Sequence, residues 1–126
     1  MAPTDLAERR IACEAVAARI AAMLRSGVDP SQAIPRSDWT VGEAAAHLAF
    51  TTLGLGMMAR GIEIPYGDGT REGLQEANFV ALMGYSERDL ETLADELVTH
   101  TRIVFEEASA APPGQVCVTP MGRVSV

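Results

Sequence analysis

Two histidines, two cysteines and 17 acidic residues are the side chains through which this chain could do acid, base or metal chemistry. His47 is singled out. On a helix its row holds Ala44, Thr51, Gly54 and Met58, so the imidazole sits at the shoulder of an apolar face beside small neighbours. A neutral imidazole there can offer one nitrogen to a metal while its other N–H finds a carbonyl or carboxylate. The plainer reading is a histidine hydrogen-bonded at the boundary of a core. His100, near Leu93 and Val104, reads as a solvent-edge histidine. Asp95 with Glu96 and Glu106 with Glu107 are adjacent acids on a helix, the pattern of a solvated face, and are assigned no catalytic role. Cys13 falls on an apolar stripe and Cys117 alternates with valines. Neither has a neighbouring cation in sequence to activate the thiol. Gly54-Leu55-Gly56 has no preceding strand and no phosphate-binding continuation, and reads as helix packing.

The elements that must position these residues follow from periodicity and punctuation. A first helix is expected from Thr4 or Asp5 to about Arg25, with Leu6, Cys13, Val16, Ile20 and Met23 on one face and Gly27 as its stop. Asp29 to Asp38, carrying Pro30 and Pro35, is a connector. The second helix has the clearest start. Thr40 and Glu43 form a capping box behind Trp39, a hydrophobic staple, and Val41, Ala44, Leu48, Leu55 and Met58 continue the apolar face. Gly42, Gly54 and Gly56 lower helix propensity there and permit close approach of another backbone. A loop runs from Gly61 to Gly73, with Pro65 and Gly67 among its turn residues, and a short helix spans about Arg71 to Met83. Ser86 is expected to cap a long helix with Leu90, Leu93, Leu97, Thr101, Val104 and Ala108 on one face, ended by Pro112, Pro113 and Gly114. Gln115 to Val126 alternates like a small β-ribbon turned near Pro120 and Gly122.

The chain's 126 residues are expected to form a single domain spanning 1–126, and 48% hydrophobic content supports a folded core. A net charge of −7, with arginine supplying all 10 basic residues, disfavours nucleic acid and anionic lipid as partners. Two cysteines about a hundred positions apart read as reduced thiols, and no apolar run suits a membrane span or signal peptide. A cytoplasmic protein is the expectation.

The run Trp39-Thr40-Val41-Gly42-Glu43, followed by Ala44-Ala45-Ala46-His47-Leu48-Ala49, resembles the signature of the mycothiol-dependent maleylpyruvate isomerase family, which belongs to the DinB-like four-helix bundles. The likeness extends through Glu76-Ala77-Asn78, the Ser86 to Ala110 helix and a Thr119-Pro120-Met121-Gly122 link. It implies an all-α, up-down bundle, here incomplete: three main helices, a short one and a β-like tail. It also implies a divalent metal, usually zinc, held by a histidine of the second helix and by a carboxylate and histidine of the last. His47 matches the first ligand. No position matches the other two, because the family's final helix would begin where this sequence ends, at Val126.

Three functional expectations follow. The first is an isomerase or S-transferase acting on small electrophiles, with His47 as metal ligand and the cleft beside Thr51 and Gly54 holding mycothiol or substrate, and inactive if the metal site is never completed. The second is a non-catalytic helical module that homodimerises or binds a partner through the groove left by the missing helix. The third is a chain whose natural form continues past Val126.

Overall fold

A computed structural model describes residues 3–64, 67–119 and 122–125. Four helices follow one another, α1 (Pro3–Leu24), α2 (Val41–Ala59), α3 (Arg71–Gly84) and α4 (Leu90–Ala110), and then a two-stranded ribbon of β1 (Val116–Thr119) and β2 (Gly122–Ser125). Among the described residues the protein is all-α apart from that ribbon. The ribbon is antiparallel with Cys117 opposite Val124, as the alternation predicts, and the expected turn residue Pro120 and the final Val126 lie outside the described residues. Pro65, assigned above to the loop, lies outside them too. Among the described residues no helix is long and apolar enough to cross a membrane.

The ends of α1 and α2 are set by glycine. Gly27 at φ 93° and Gly61 at φ 80° take the left-handed conformation that stops each helix. At the start of α2, the Thr40 hydroxyl accepts from the Glu43 N–H at 3.2 Å, half of the expected capping box. The other half differs: the Glu43 carboxylate takes the Thr40 hydroxyl at 3.1 Å instead of a backbone N–H. The helix α4 starts at Leu90, capped by Asp89 rather than Ser86. Asp89 stands three residues before Thr92 and accepts from its N–H at 3.0 Å and its hydroxyl at 2.8 Å. Residues 86–89 are instead held by Arg88, whose guanidinium donates to the carbonyls of Leu82 (3.0 Å), Tyr85 and Glu87 (2.7 Å) at the end of α3.

The middle of the molecule belongs to α4. It runs antiparallel to α1, since Arg25 meets Glu91 and Asp95 while Arg10 reaches Glu106 at 4.0 Å. It runs parallel to α2, since His100 meets Ala49 and Arg60 meets Glu107. Both α1 and α2 pack along α4 and make no comparable contact with each other. The core is built from small residues, Ala21, Ala45, Ala46, Ala49 and Ala94, around Leu24, Leu82, Leu90 and Leu93. At Gly56, where α2 packs against α4, an added Cβ would meet Ile103 at 3.5 Å, an ordinary contact.

The apolar stripe of α1 divides. Ala17, Ala21 and Leu24 are buried against the core, whereas Cys13, Val16 and Met23 are exposed and Ile20 half-buried, because only one neighbour, α4, is present to cover a face wide enough for two. The same division holds on α2, where Gly42, Ala45, Ala46 and Ala49 are buried and Leu48 and Leu55 are exposed. Between these uncovered faces, over the outer side of α4, lies an apolar trough of about 440 Å³ lined by Val16, Ile20, Leu48, Leu55, Leu97 and Val104.

Candidate functional site around His47

The connector before α2 is laced to the helix start. Val41 N–H donates to Gln32 C=O at 2.9 Å, Gly42 N–H to Pro30 C=O at 2.8 Å, and Ile34 N–H to Trp39 C=O at 3.0 Å. With Glu43 N–H taken by Thr40, the free donors of the first turn are spent inside the chain, so this helix end is closed to an anion. Gly42 fits this lacing closely, since a Cβ there would sit 3.1 Å from the Pro30 carbonyl oxygen and crowd it.

The lacing sets Trp39 over His47, one turn and a half into α2. The two rings lie 4.8 Å apart at 59°, and Phe50 meets the imidazole edge-on at 5.0 Å and 90°. Tyr85 extends the row at 6.0 Å from Phe50 and donates its hydroxyl to the Glu96 carboxylate. Burial, together with that carboxylate, pushes the Tyr85 hydroxyl pKa upward, so Tyr85 stays a neutral donor. In this apolar setting desolvation lowers the His47 pKa below 6.5, which keeps the imidazole neutral at pH 7. Its Nδ1 is sealed from solvent and has no hydrogen-bond partner among the described residues. Buried polar atoms nearly always have partners, which sets His47 apart from the satisfied core-edge histidine that was the plainer reading of the sequence.

Thr51 and Gly54 share the His47 row, as predicted, with different surroundings. The Thr51 hydroxyl donates back to the His47 carbonyl at 2.7 Å, and Gly54 is buried under Ile64, whose Cδ1 would lie 2.9 Å from an added Cβ. Ile64 thus closes the cleft at Gly54. The open trough lies roughly a quarter-turn around α2, on Leu48, Thr52 and Leu55.

His100 is not a solvent-edge residue. Its Nδ1 lies 2.9 Å from the Ala49 carbonyl oxygen, and because a carbonyl only accepts, Nδ1 carries the proton and straps α4 to α2. The acids of α4 are engaged in ion pairs or hydrogen bonds, Asp95 with Arg25, Glu106 with Arg102 and Arg10, Glu107 with Arg60 and Glu96 with Tyr85, in keeping with a structural role. Cys13 is exposed on the wall of the trough and Cys117 is buried. Sequence reasoning passed over Phe50 and Tyr85. The signal for Phe50 was its place three residues after His47, whereas nothing in sequence brings Tyr85 there.

A catalytic zinc takes three protein ligands. Among the described residues no three His, Cys, Asp or Glu side chains gather to hold an ion, so His47 offers one corner of such a site and this chain's described residues do not complete it. Compared with known proteins, the chain matches no family model, no curated protein and no solved structure.

Proposed function

We propose that this chain is the histidine-presenting part of a thiol-dependent, metal-assisted isomerase or transferase of the maleylpyruvate isomerase type, in a DinB-like bundle, and that His47 is its ligand to a divalent metal, zinc first. The observation that carries the reading is the dry, unpartnered Nδ1 of a neutral imidazole, at the residue where the sequence resemblance puts a ligand. The metal would hold a thiol such as mycothiol as thiolate for addition to a small electrophile. The chain's own part is to hold the imidazole neutral and its ring fixed between Trp39 and Phe50. The remaining ligands come from outside the described residues, and no reaction step is assigned to the residues present. Free thiols at Cys13 and Cys117 suit a cytoplasmic setting.

The test is titration of the chain with zinc or cobalt, followed by calorimetry and by the NMR signals of the two histidine rings. The expected result is a shift of the His47 ring signals and an affinity at least about tenfold weaker in His47→Ala. An unmoved His47 ring with equal affinity in the variant refutes the metal role.

A second reading, a non-catalytic helical module, is favoured by a different observation: the trough between α1 and α2 presents apolar side chains from three helices with nothing packed on them.

A further inference from the structure

We infer that the first three turns of α3, residues 71–81, are a lid on a cavity beside Trp39, and that they open about Leu82 and the Arg88 turn while α1, α2 and α4 stay packed. The motion belongs to the chain with or without a metal at His47.

A helix of 14 residues is marginal by itself in water, so α3 persists through its packing, which is on α2. That support is slight. Eight residues of α2 and six of α4 are buried, whereas α3 buries Leu82 alone, near its last turn. No residue from 71 to 81 is buried, and Phe79 and Val80 are 64% and 61% exposed. Among the described residues no side chain of α3 makes an ion pair or a hydrogen bond to another element. An element with so few buried apolar contacts opens locally at a small fraction of the free energy of global unfolding.

The two ends of α3 are held differently. At its start the bonds are local: Asp68 accepts from the Thr70 N–H at 3.0 Å, Thr70 accepts from the Gly73 N–H at 3.0 Å, and a Cβ on Gly67 would meet the Gly73 carbonyl at 2.5 Å. Residues 67–70 are thus a cap that travels with the helix. At its end the bonds reach across the molecule. Tyr85 donates to Glu96 of α4 and stands 6.0 Å from Phe50 of α2, and Arg88 holds the Leu82 carbonyl at 3.0 Å. A helix anchored at one end and self-contained at the other turns about its anchor. The space for that movement is present, because a cavity of about 490 Å³ lies between Phe79, Leu82 and Met83 on one side and Asp38, Trp39 and Glu43 on the other. Trp39 also stacks on His47. A lid that swings inward brings Phe79 towards the indole, and one that swings outward bares the approach to the row of Trp39, His47, Phe50 and Tyr85.

The experiment is amide hydrogen exchange of the full chain, read by mass spectrometry at rising low urea, beside acrylamide quenching of Trp39, the one tryptophan. The expected result is exchange at residues 74–81 at least about a hundredfold faster than at 94–105 of α4, and insensitive to urea that accelerates α4. Val80→Pro, at an exposed position inside α3, should melt the lid and raise the quenching of Trp39 at least about twofold. The rest of that variant should stay folded, with α4 protection lowered by no more than the factor by which the lid itself was protected. Exchange of α3 and α4 in one global event overturns the inference, as does a Val80→Pro chain that unfolds throughout. A melted α3 with unchanged quenching of Trp39 overturns it too, because the segment would then not cover the cavity.

Discussion

At the scale of single residues, His47 couples stability to pH in a definite direction. Its folded-state pKa lies below the 6.5 of the unfolded chain, so the unfolded state binds the extra proton first. Its contribution is therefore complete above pH 6.5 and declines as pH falls below that value, until the folded-state pKa has been passed. Replacing it with phenylalanine, which can continue the stack of Trp39 and Phe50, should flatten this acid limb in urea titrations followed by circular dichroism. An unchanged acid limb would mean that the imidazole protonates as easily in the fold as out of it.

At the scale of elements, α2 separates two uses of glycine. Gly56→Ala adds a Cβ that meets Ile103 at 3.5 Å, ordinary contact, so the gain in helix propensity should raise stability by about 0.5–1 kcal/mol. Gly42→Ala puts a Cβ 3.1 Å from the Pro30 carbonyl oxygen, a backbone atom held by the Gly42 N–H itself, and should lower stability by about 1 kcal/mol or more. Chemical denaturation of the pair checks both signs at once. The turn between α3 and α4 depends on Arg88. Arg88→Met keeps the stem but leaves the carbonyls of Leu82, Tyr85 and Glu87 without their donor, an expected loss of about 1–3 kcal/mol by the same measurement.

For the whole molecule, α4 is the element on which α1 and α2 depend, while α3 and β1 pack on α2. Leu93 is its largest wholly buried side chain, and Leu93→Ala should cost about 2–5 kcal/mol in equilibrium unfolding. Ile11→Ala, on the outer side of α1, should change stability by less than about 0.5 kcal/mol. Equal effects at the two positions would contradict a core centred on α4. Two outer helices held by one central helix leave a trough by geometry, and its lining is almost wholly apolar.

Local chemistry decided much of this protein from the sequence alone. The four helices, the stops at Gly27 and Gly61, the Thr40 cap and the alternating tail are short-range effects of periodicity, backbone freedom and hydrogen bonding within a few residues. His47 was legible as a candidate for the same reason, being the one histidine set among small residues on a defined helix face. The tertiary structure alone decided which half of each apolar stripe is covered, because a stripe records that a helix has neighbours and not where they stand. It also decided the long-range partners: Ala49 for His100, Ile64 over Gly54, Asp95 and Glu91 for Arg25, and Tyr85 beside Phe50. These pairings join residues from 10 to 70 positions apart; those of His100 and Arg25 exist only once α4 has met α2 and α1, and those of Ile64 and Tyr85 only once the chain after α2 has folded back on that helix.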